Sequence, residues 1–443
     1  MKEYIHRFNS ETDYANYVNS AYTEPWVSTH ITGGGANSSI TVTYNLKELG
    51  EYLTFEIVSG GTLYWYNSGN TSDIKTIEYK LNDGEWTEIT SSQDNDGSGT
   101  TIATVITGDI IKFRGNNDTY CNFYVNRCSH FKNTSDCCFY AYGNIMSLIN
   151  YNNFKTNKKL TVSSTFAWLF YNTGIMSHPV KKLLLPATTL LAYCYTNMFD
   201  GCTSLTTAPE LPATTLVLYC YGYMFNGCTN LKKMPELPAT TLAQQCYRNM
   251  FAGCTSLVNA PSILPVTTLA SRCYQGMFAG CTNLVNAPEL PATTLEYSVY
   301  QSMFNGCTSL ENAPALPATI LTNECYRHMF SGCTSLVSAP ELPATTLTHA
   351  CYAHMFWGCT SLVNAPELPA TTLANQCYQD MFNGCTSLNY IKCLATDISA
   401  NFCTQEWVRG VASSGTFVKN PNMSNWPSGA SGIPNGWTVQ DAN

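Results

Sequence analysis

Between Glu51 and Tyr120 short apolar runs alternate with polar residues, as in "EYLTFEIVS", "TLYWYNS", "KTIEYKLNDGEWTEIT" and "TIATVITGDIIKFRG". A period of two in β-branched and aromatic residues predicts half-buried strands. "NDG" at Asn82 to Gly84, between two such runs, predicts a hairpin. The stretch reads as a small antiparallel β-sandwich over residues 50–120. Further on the period changes. Leu216, Cys220 and Met224 follow an i, i+4, i+8 series, with Tyr221 and Phe225 one position on. That stripe predicts an amphipathic helix of about three turns. Thr214 or Thr215 is placed to cap its start and Gly227 to end it. "CTNLKKMPEL" then reads as extended chain, kept short by Pro235 and Pro238.

The unit recurs. "MF" falls at Met198, Met224, Met250, Met277, Met303, Met329, Met355 and Met381, in six steps of 26 residues and one of 27. The extra residue lies in "APSILPVTTL", at Ser262-Ile263, which marks a loop-like stretch. One short helix plus one extended segment cannot bury its own apolar face, whereas stacked copies can. Helices pack about 8–10 Å apart and strands about 4.8 Å apart, so such a stack curves with its strands inside. The expected fold is an α/β solenoid of ~26-residue, leucine-rich-repeat-like units behind a small all-β sandwich domain. Residues 1–49 read as a leader or attachment segment, 50–120 as the β-sandwich and 121–190 as degenerate N-terminal capping repeats. Eight clear repeats and one worn repeat occupy 191–410, and 411–443 form a C-terminal cap.

"MFxGCTSLxxAPELPATTLxxxCYxxMF" resembles the BspA-type leucine-rich repeats of gut and oral bacterial surface proteins, found also in phages of gut bacteria. Phe330 to Leu336 spell that family's Phe-Ser-Gly-Cys-Thr-Ser-Leu core. The likeness is strong from Leu183 to Gly410 and weak from Cys138 to Phe170. Cys403, Trp407 and Gly410 keep the register of Cys377, Met381 and Gly384, and the following "GTFVKNPNMSNW" resembles the tail that closes such arrays. The resemblance implies the fold, and the functions of that family are mostly adhesion or unknown. Glu24 to Ser28, with Pro25 and Trp26 as the candidate attachment residues, resemble short leaders on phage structural proteins. A terminal arm packed on the β domain is the alternative reading of that segment.

Charged residues make up 12% of the chain, against roughly 25% in ordinary soluble domains. Net charge is -8 and no basic cluster exceeds a Lys-Lys pair, which argues against nucleic acid as a partner. No apolar run approaches the roughly 18 residues of a membrane span, and the start has no apolar signal-peptide core. Twenty-one cysteines would suggest a disulfide scaffold, but fifteen of them recur at two fixed positions of the repeat. Val299 fills one of those slots, which leaves Cys307 without an in-repeat partner. The expectation is therefore small buried thiols rather than disulfides, with no metal and no cofactor.

No nucleophile elbow, phosphate-binding loop, HExxH or dinucleotide fingerprint is present, so no catalytic residue is assigned. His328, His349 and His354 read as solvent-facing histidines. The "PELP" glutamates Glu210, Glu236, Glu289, Glu341 and Glu367 share one repeated environment, unlike a catalytic pair whose pKa values must be split. Variation gathers instead on the helix face opposite the leucine stripe. Tyr219, Tyr223, Arg248, Arg272, Tyr297, Arg327, His328, His354 and Trp357 are the candidate binding residues there. Glu324 and Ser331 are expected to point outward with them. Such a face is either relaxed and solvated or a recognition surface, and the near-identical inner face offers a regular alternative.

The function expected is that of a non-enzymatic phage virion protein, a fibre, decoration or receptor-binding subunit. Its partners would be other virion proteins through the N-terminal region and a host cell-surface glycan or protein, with homo-oligomerisation open and no membrane insertion. A bacterial surface adhesin of the BspA type and a purely architectural scaffold are the alternatives.

Overall fold

A computed structural model describes residues 3–7, 27–32, 39–44, 50–69, 74–92, 99–122 and 127–443. Pro25 and Trp26 lie outside the described residues. Near the start, β1 (Glu3–Arg7), β2 (Val27–Thr32) and β3 (Ser39–Tyr44) pair antiparallel in the order β1-β3-β2.

The alternating runs form strands as their period requires. They are β4 (Leu53–Ser59), β5 (Gly61–Asn67), β6 (Thr76–Leu81), β7 (Thr87–Thr90), β8 (Thr100–Val105) and β9 (Ile110–Arg114). Asn82 to Gly84 turn the β6–β7 hairpin, with Asn82 at φ 49° and the Gly84 N–H donating to Leu81 O at 2.9 Å. The sheets continue past residue 120. β10 (Cys121–Asn122), β11 (Arg127–Asn133) and β12 (Cys138–Asn144) follow, in a stretch read from sequence as the first capping repeats. One sheet has the order β10-β11-β5-β8. The other joins β12, β4, β9, β6 and β7 and takes in two short parallel strands, β13 (Ile175–Ser177) and β14 (Leu183–Leu184). Phe55 and Phe113 of this sheet lie 5.0 and 4.9 Å from Phe131 of the first, ring centre to ring centre. A disulfide links Cys121 to Cys128.

In the repeats the expected helix is absent. Among the described residues the only helix is a single 3-10 turn, Ile145–Leu148. Each predicted helix is a ribbon of overlapping turns. Cys220, Gly222, Met224, Asn226 and Cys228 donate their N–H to the carbonyl three residues back. Tyr219, Tyr221, Tyr223, Phe225 and Gly227 donate sideways to Gln244, Cys246, Arg248, Met250 and Ala252 of the next repeat, at 2.7–3.1 Å. Every amide of the ribbon is thus satisfied, half of them only when a neighbouring repeat is present. A left-handed residue at every fourth position keeps the chain from closing into a helix: Tyr219, Tyr223 and Gly227 have φ of 57°, 56° and 68°. The same triplet recurs at Glu324, His328 and Gly332, at φ 58°, 57° and 74°.

The i, i+4, i+8 stripe fits this ribbon better than a helix. Leu216, Cys220, Met224 and Cys228 are all buried, a strict period of four that would drift across a 3.6-residue helix surface. Their neighbours build two ring ladders. Phe170, Phe199, Phe225, Phe251, Phe278, Phe304, Phe330, Phe356 and Phe382 stack at 5.4–6.0 Å. The tyrosine ladder runs from Phe166 through Tyr195 and its successors to Trp407 at 5.7–6.2 Å. All fifteen repeat cysteines are buried free thiols. Each "GC" thiol donates to the phenylalanine carbonyl of the preceding repeat, Cys228 Sγ to Phe199 O at 3.1 Å and its equivalents at 2.9–3.2 Å.

The extended side of each repeat meets its neighbour through parallel bridges, as in the series Asn259, Asn286, Asn312, Ser338, Asn364 and Tyr390. At the end these become true strands, β15 (Tyr390–Cys393), β16 (Thr416–Lys419) and β17 (Thr438–Asp441), all parallel. Both ladders begin on the preceding sheets: Phe131 stacks on Phe170 at 5.6 Å and Tyr120 on Phe166 at 6.2 Å. At the other end Trp426 covers Trp407 at 5.7 Å, and Trp407 Nε1 donates to Gly432 O at 2.8 Å. The apolar face is closed by rings at both ends.

Candidate binding surface

The ribbon's outward side carries four columns of side chains, one per repeat in each. Two columns occupy the left-handed positions, and a bulky residue there costs strain on the order of 1–2 kcal/mol that glycine avoids. Gly276 takes that position in one repeat, whereas Tyr223, His328, His354 and Asp380 take it in others. Bulky side chains are thus set outward at positions where the backbone favours glycine.

The residues expected to form a binding face do lie on this ribbon or beside it, in separate groups. Tyr193 stacks on Tyr219 at 5.4 Å, and Tyr219 on Tyr223 at 6.4 Å. Arg248 Nη1 donates to Tyr219 Oη at 2.8 Å, with its guanidinium 5.9 and 5.7 Å from the Tyr219 and Tyr223 rings. Burial pushes the Tyr219 hydroxyl pKa up, and Arg248 draws it back in part. Arg272 sits 4.8 Å from the Tyr297 ring centre and donates to its hydroxyl at 3.3 Å. Arg327 pairs with Glu324 at 3.8 Å. Trp357 stands apart, 50% exposed.

Two expectations need correction. Ser331 does not point outward; it is buried, as is Ser298 in another variable column. His328 and His354 are not free in solvent but half-buried, their rings stacked at 4.3 Å and 9°. A carboxylate does accompany them: Asp380 takes the same position one repeat on, its Oδ2 3.8 Å from His354 Nδ1. The 26-residue register of His328, His354 and Asp380 already carried that signal. Burial first, then the neighbouring ring and Arg327, hold His328 down to about 4. Burial also lowers His354, against the pull of Asp380. The stacked Trp168 and Tyr171, 5.3 Å apart, extend the aromatic end of the face and were missed, because an irregular step separates them from the first clear repeat.

Nothing in the repeat interior is poised for nucleophilic chemistry. Burial pushes the Cys202 and Cys281 thiols up to about 12, so they stay protonated and act as donors. The "PELP" glutamates are exposed, and Lys182 and Lys392 neutralise Glu210 and Glu367 at 3.1 and 3.0 Å. Among the described residues no group of three or more His, Cys, Asp or Glu is arranged to hold a metal ion. Nor, among them, is any helix long and apolar enough to cross a membrane.

A constant frame with one varied face defines a repeat protein. The BspA type leucine-rich repeat region matches this chain in six copies, over residues 167–285 and 273–402. The two spans join to cover more than half of the sequence, and the chain belongs to that family. Among solved structures it is similar to a leucine-rich repeat protein from Bacteroides ovatus ATCC 8483, at 16% identity over 57% of this chain and 79% of that one. The TM-score is 0.25, too low to argue from. No curated protein matches.

Proposed function

We propose that this protein is a non-enzymatic recognition protein whose turn-ribbon face meets its partner. One observation carries the reading: ladders of near-identical residues hold the frame, while the columns beside them change from Tyr219 and Arg248 to His354 and Trp357. Packing demands sameness in the ladders, and most of the variation lies beside them. In this reading the repeats coil as a solenoid and the two sheets before them form a small β-sandwich that acts as cap and spacer. The setting we propose is a phage virion, as a fibre, decoration or receptor-binding subunit joined to other virion proteins through residues 1–49 and presenting the ribbon to a host glycan or protein. The leader-like Glu24 to Ser28 supports it. Family membership favours a second setting, a bacterial surface adhesin.

Mass spectrometry of purified phage particles and of washed cells separates the two settings: recovery only from cells would overturn the virion. For the face itself, Arg327→Ala and Trp357→Ala are expected to leave thermal stability nearly unchanged, since a long, partly exposed ion pair such as Arg327–Glu324 contributes about 1 kcal/mol or less, and to weaken attachment. Unfolding of either variant would show that these side chains belong to the frame.

A further inference from the structure

Trp357 is the largest departure from its column. The equivalent positions hold Asp200, Asn226, Ala252, Ala279, Asn305, Ser331 and Asn383, so the frame has no need of an indole there. At 50% exposure it leaves apolar surface in water, which stabilises nothing in the free protein. Its surroundings are polar and ordered. Trp357 and His354 share one turn, the Trp357 N–H donating to His354 O at 3.2 Å. The next repeat places Asn383 and Asp380 at the two matching positions, held by Gly358 N–H to Asn383 O at 2.8 Å and His354 N–H to Gln379 O at 2.8 Å. Asn383 Nδ2 donates to Asp380 Oδ1 at 2.8 Å, and Asp380 Oδ2 lies beside His354. The stacked His328 backs His354.

We propose that Trp357, His354, Asp380 and Asn383 form a subsite for one ring of a neutral saccharide. A sugar ring offers an apolar C–H face to an indole and a rim of hydroxyls that both donate and accept. The imidazole and the amide can donate and accept, and the carboxylate accepts, so the set matches such a rim. A single aromatic wall is not the multi-walled cage that selects a quaternary ammonium. The ion pair of Arg327 with Glu324 leaves no excess positive charge nearby to draw an anionic ligand. The inference rests on the ribbon face being the recognition surface and names the ligand class for part of it.

The test is titration of the full chain with soluble gluco-, manno-, galacto- and chito-oligosaccharides, and with choline chloride, followed by tryptophan fluorescence and calorimetry. At least one oligosaccharide is expected to bind in the micromolar to millimolar range. Trp357→Ala should weaken it at least tenfold and Asp380→Asn severalfold, with Trp357→Phe intermediate and Asn226→Ala, in the same column, without effect. Binding by none of the saccharides, binding by choline alone, or saccharide binding that survives Trp357→Ala would each overturn the proposal. If Trp357→Ala abolishes cell attachment while no saccharide binds, the ribbon remains the recognition face and only the ligand class falls.

Discussion

Phe304 shows what one position of the frame contributes. Its ring is fully buried and stacked on Phe278 at 5.8 Å and Phe330 at 5.7 Å. Phe304→Ala removes both contacts from a ladder that cannot close over the gap, and chemical denaturation should show a loss of roughly 3–5 kcal/mol. The cysteines do quieter work. A thiol fits the slot that Val299 also fills, and the "GC" thiols add a second bond to a carbonyl that already accepts a ribbon N–H, as Phe278 O accepts from both Cys281 N–H and Cys307 Sγ. His328 makes stability depend on pH. Its folded pKa, about 4, lies below the ordinary value of about 6.5 of an unfolded chain, so the unfolded state binds the extra proton between the two. The stabilising contribution is present above about pH 6.5 and is lost as pH falls toward 4, the facing groups being His354, Arg327 and Asp380. Melting curves across that window should show His328→Phe less acid-sensitive than the native chain. Equal sensitivity would remove His328 as the cause.

At the scale of the element, the ribbon explains both what was legible in the sequence and what was not. The buried columns and the repeat length were readable, because burial leaves its mark whatever the backbone does; the outward columns were readable only in part, since Ser298 and Ser331 are buried in two of them. The helix was the error, and its source is specific. Spacings of four satisfy a helix over two turns, but Leu216, Cys220, Met224 and Cys228 keep the same spacing over a longer run. Gly227 reads as a helix stop, whereas its φ of 68°, like the 72° of Gly253, marks the last of three left-handed positions in each ribbon. The other two are hidden behind residues such as Tyr219 and Tyr223, which no propensity assigns to that conformation. This yields a paired prediction. Ser302 has φ 57° where Gly276 stands in the preceding repeat, so Ser302→Gly should stabilise by about 0.5 kcal/mol, strain relief outweighing glycine's entropy. Gly306→Val, at φ 73°, should destabilise by more than about 1 kcal/mol. Denaturation midpoints moving the other way in both would mean that these dihedrals carry no strain.

For the whole molecule the consequence is one of shape. A stack with helices on one side must fan out, since helices demand about 8–10 Å and strands about 4.8 Å. Here no helix sets the wider spacing. One side of each repeat meets the next through ribbon amides, Phe304 N–H to Met329 O at 2.9 Å, and the other through bridges such as Asn312 to Ser338. Both sides therefore meet the next repeat at a backbone hydrogen-bond spacing of about 4.8 Å, and the rings between repeat at 5.4–6.2 Å, so the wedge is far smaller than helices would impose. Phe278, Phe304 and Phe330 lie within 4° and 6° of parallel, and neighbouring rings from Tyr195 to Trp407 within 3–21°. The ends are closed in kind, with Phe131 and Tyr120 on one side and Trp407 under Trp426 on the other, which leaves the frame no exposed ring face. We therefore expect a straight rod rather than an arc, and a presenting surface that is flat along its length and suited to an extended ligand. Small-angle X-ray scattering of the full chain should give a maximum dimension that grows by about 5 Å for each repeat duplicated in register. A dimension that levels off as repeats are added would mean that the array bends back on itself.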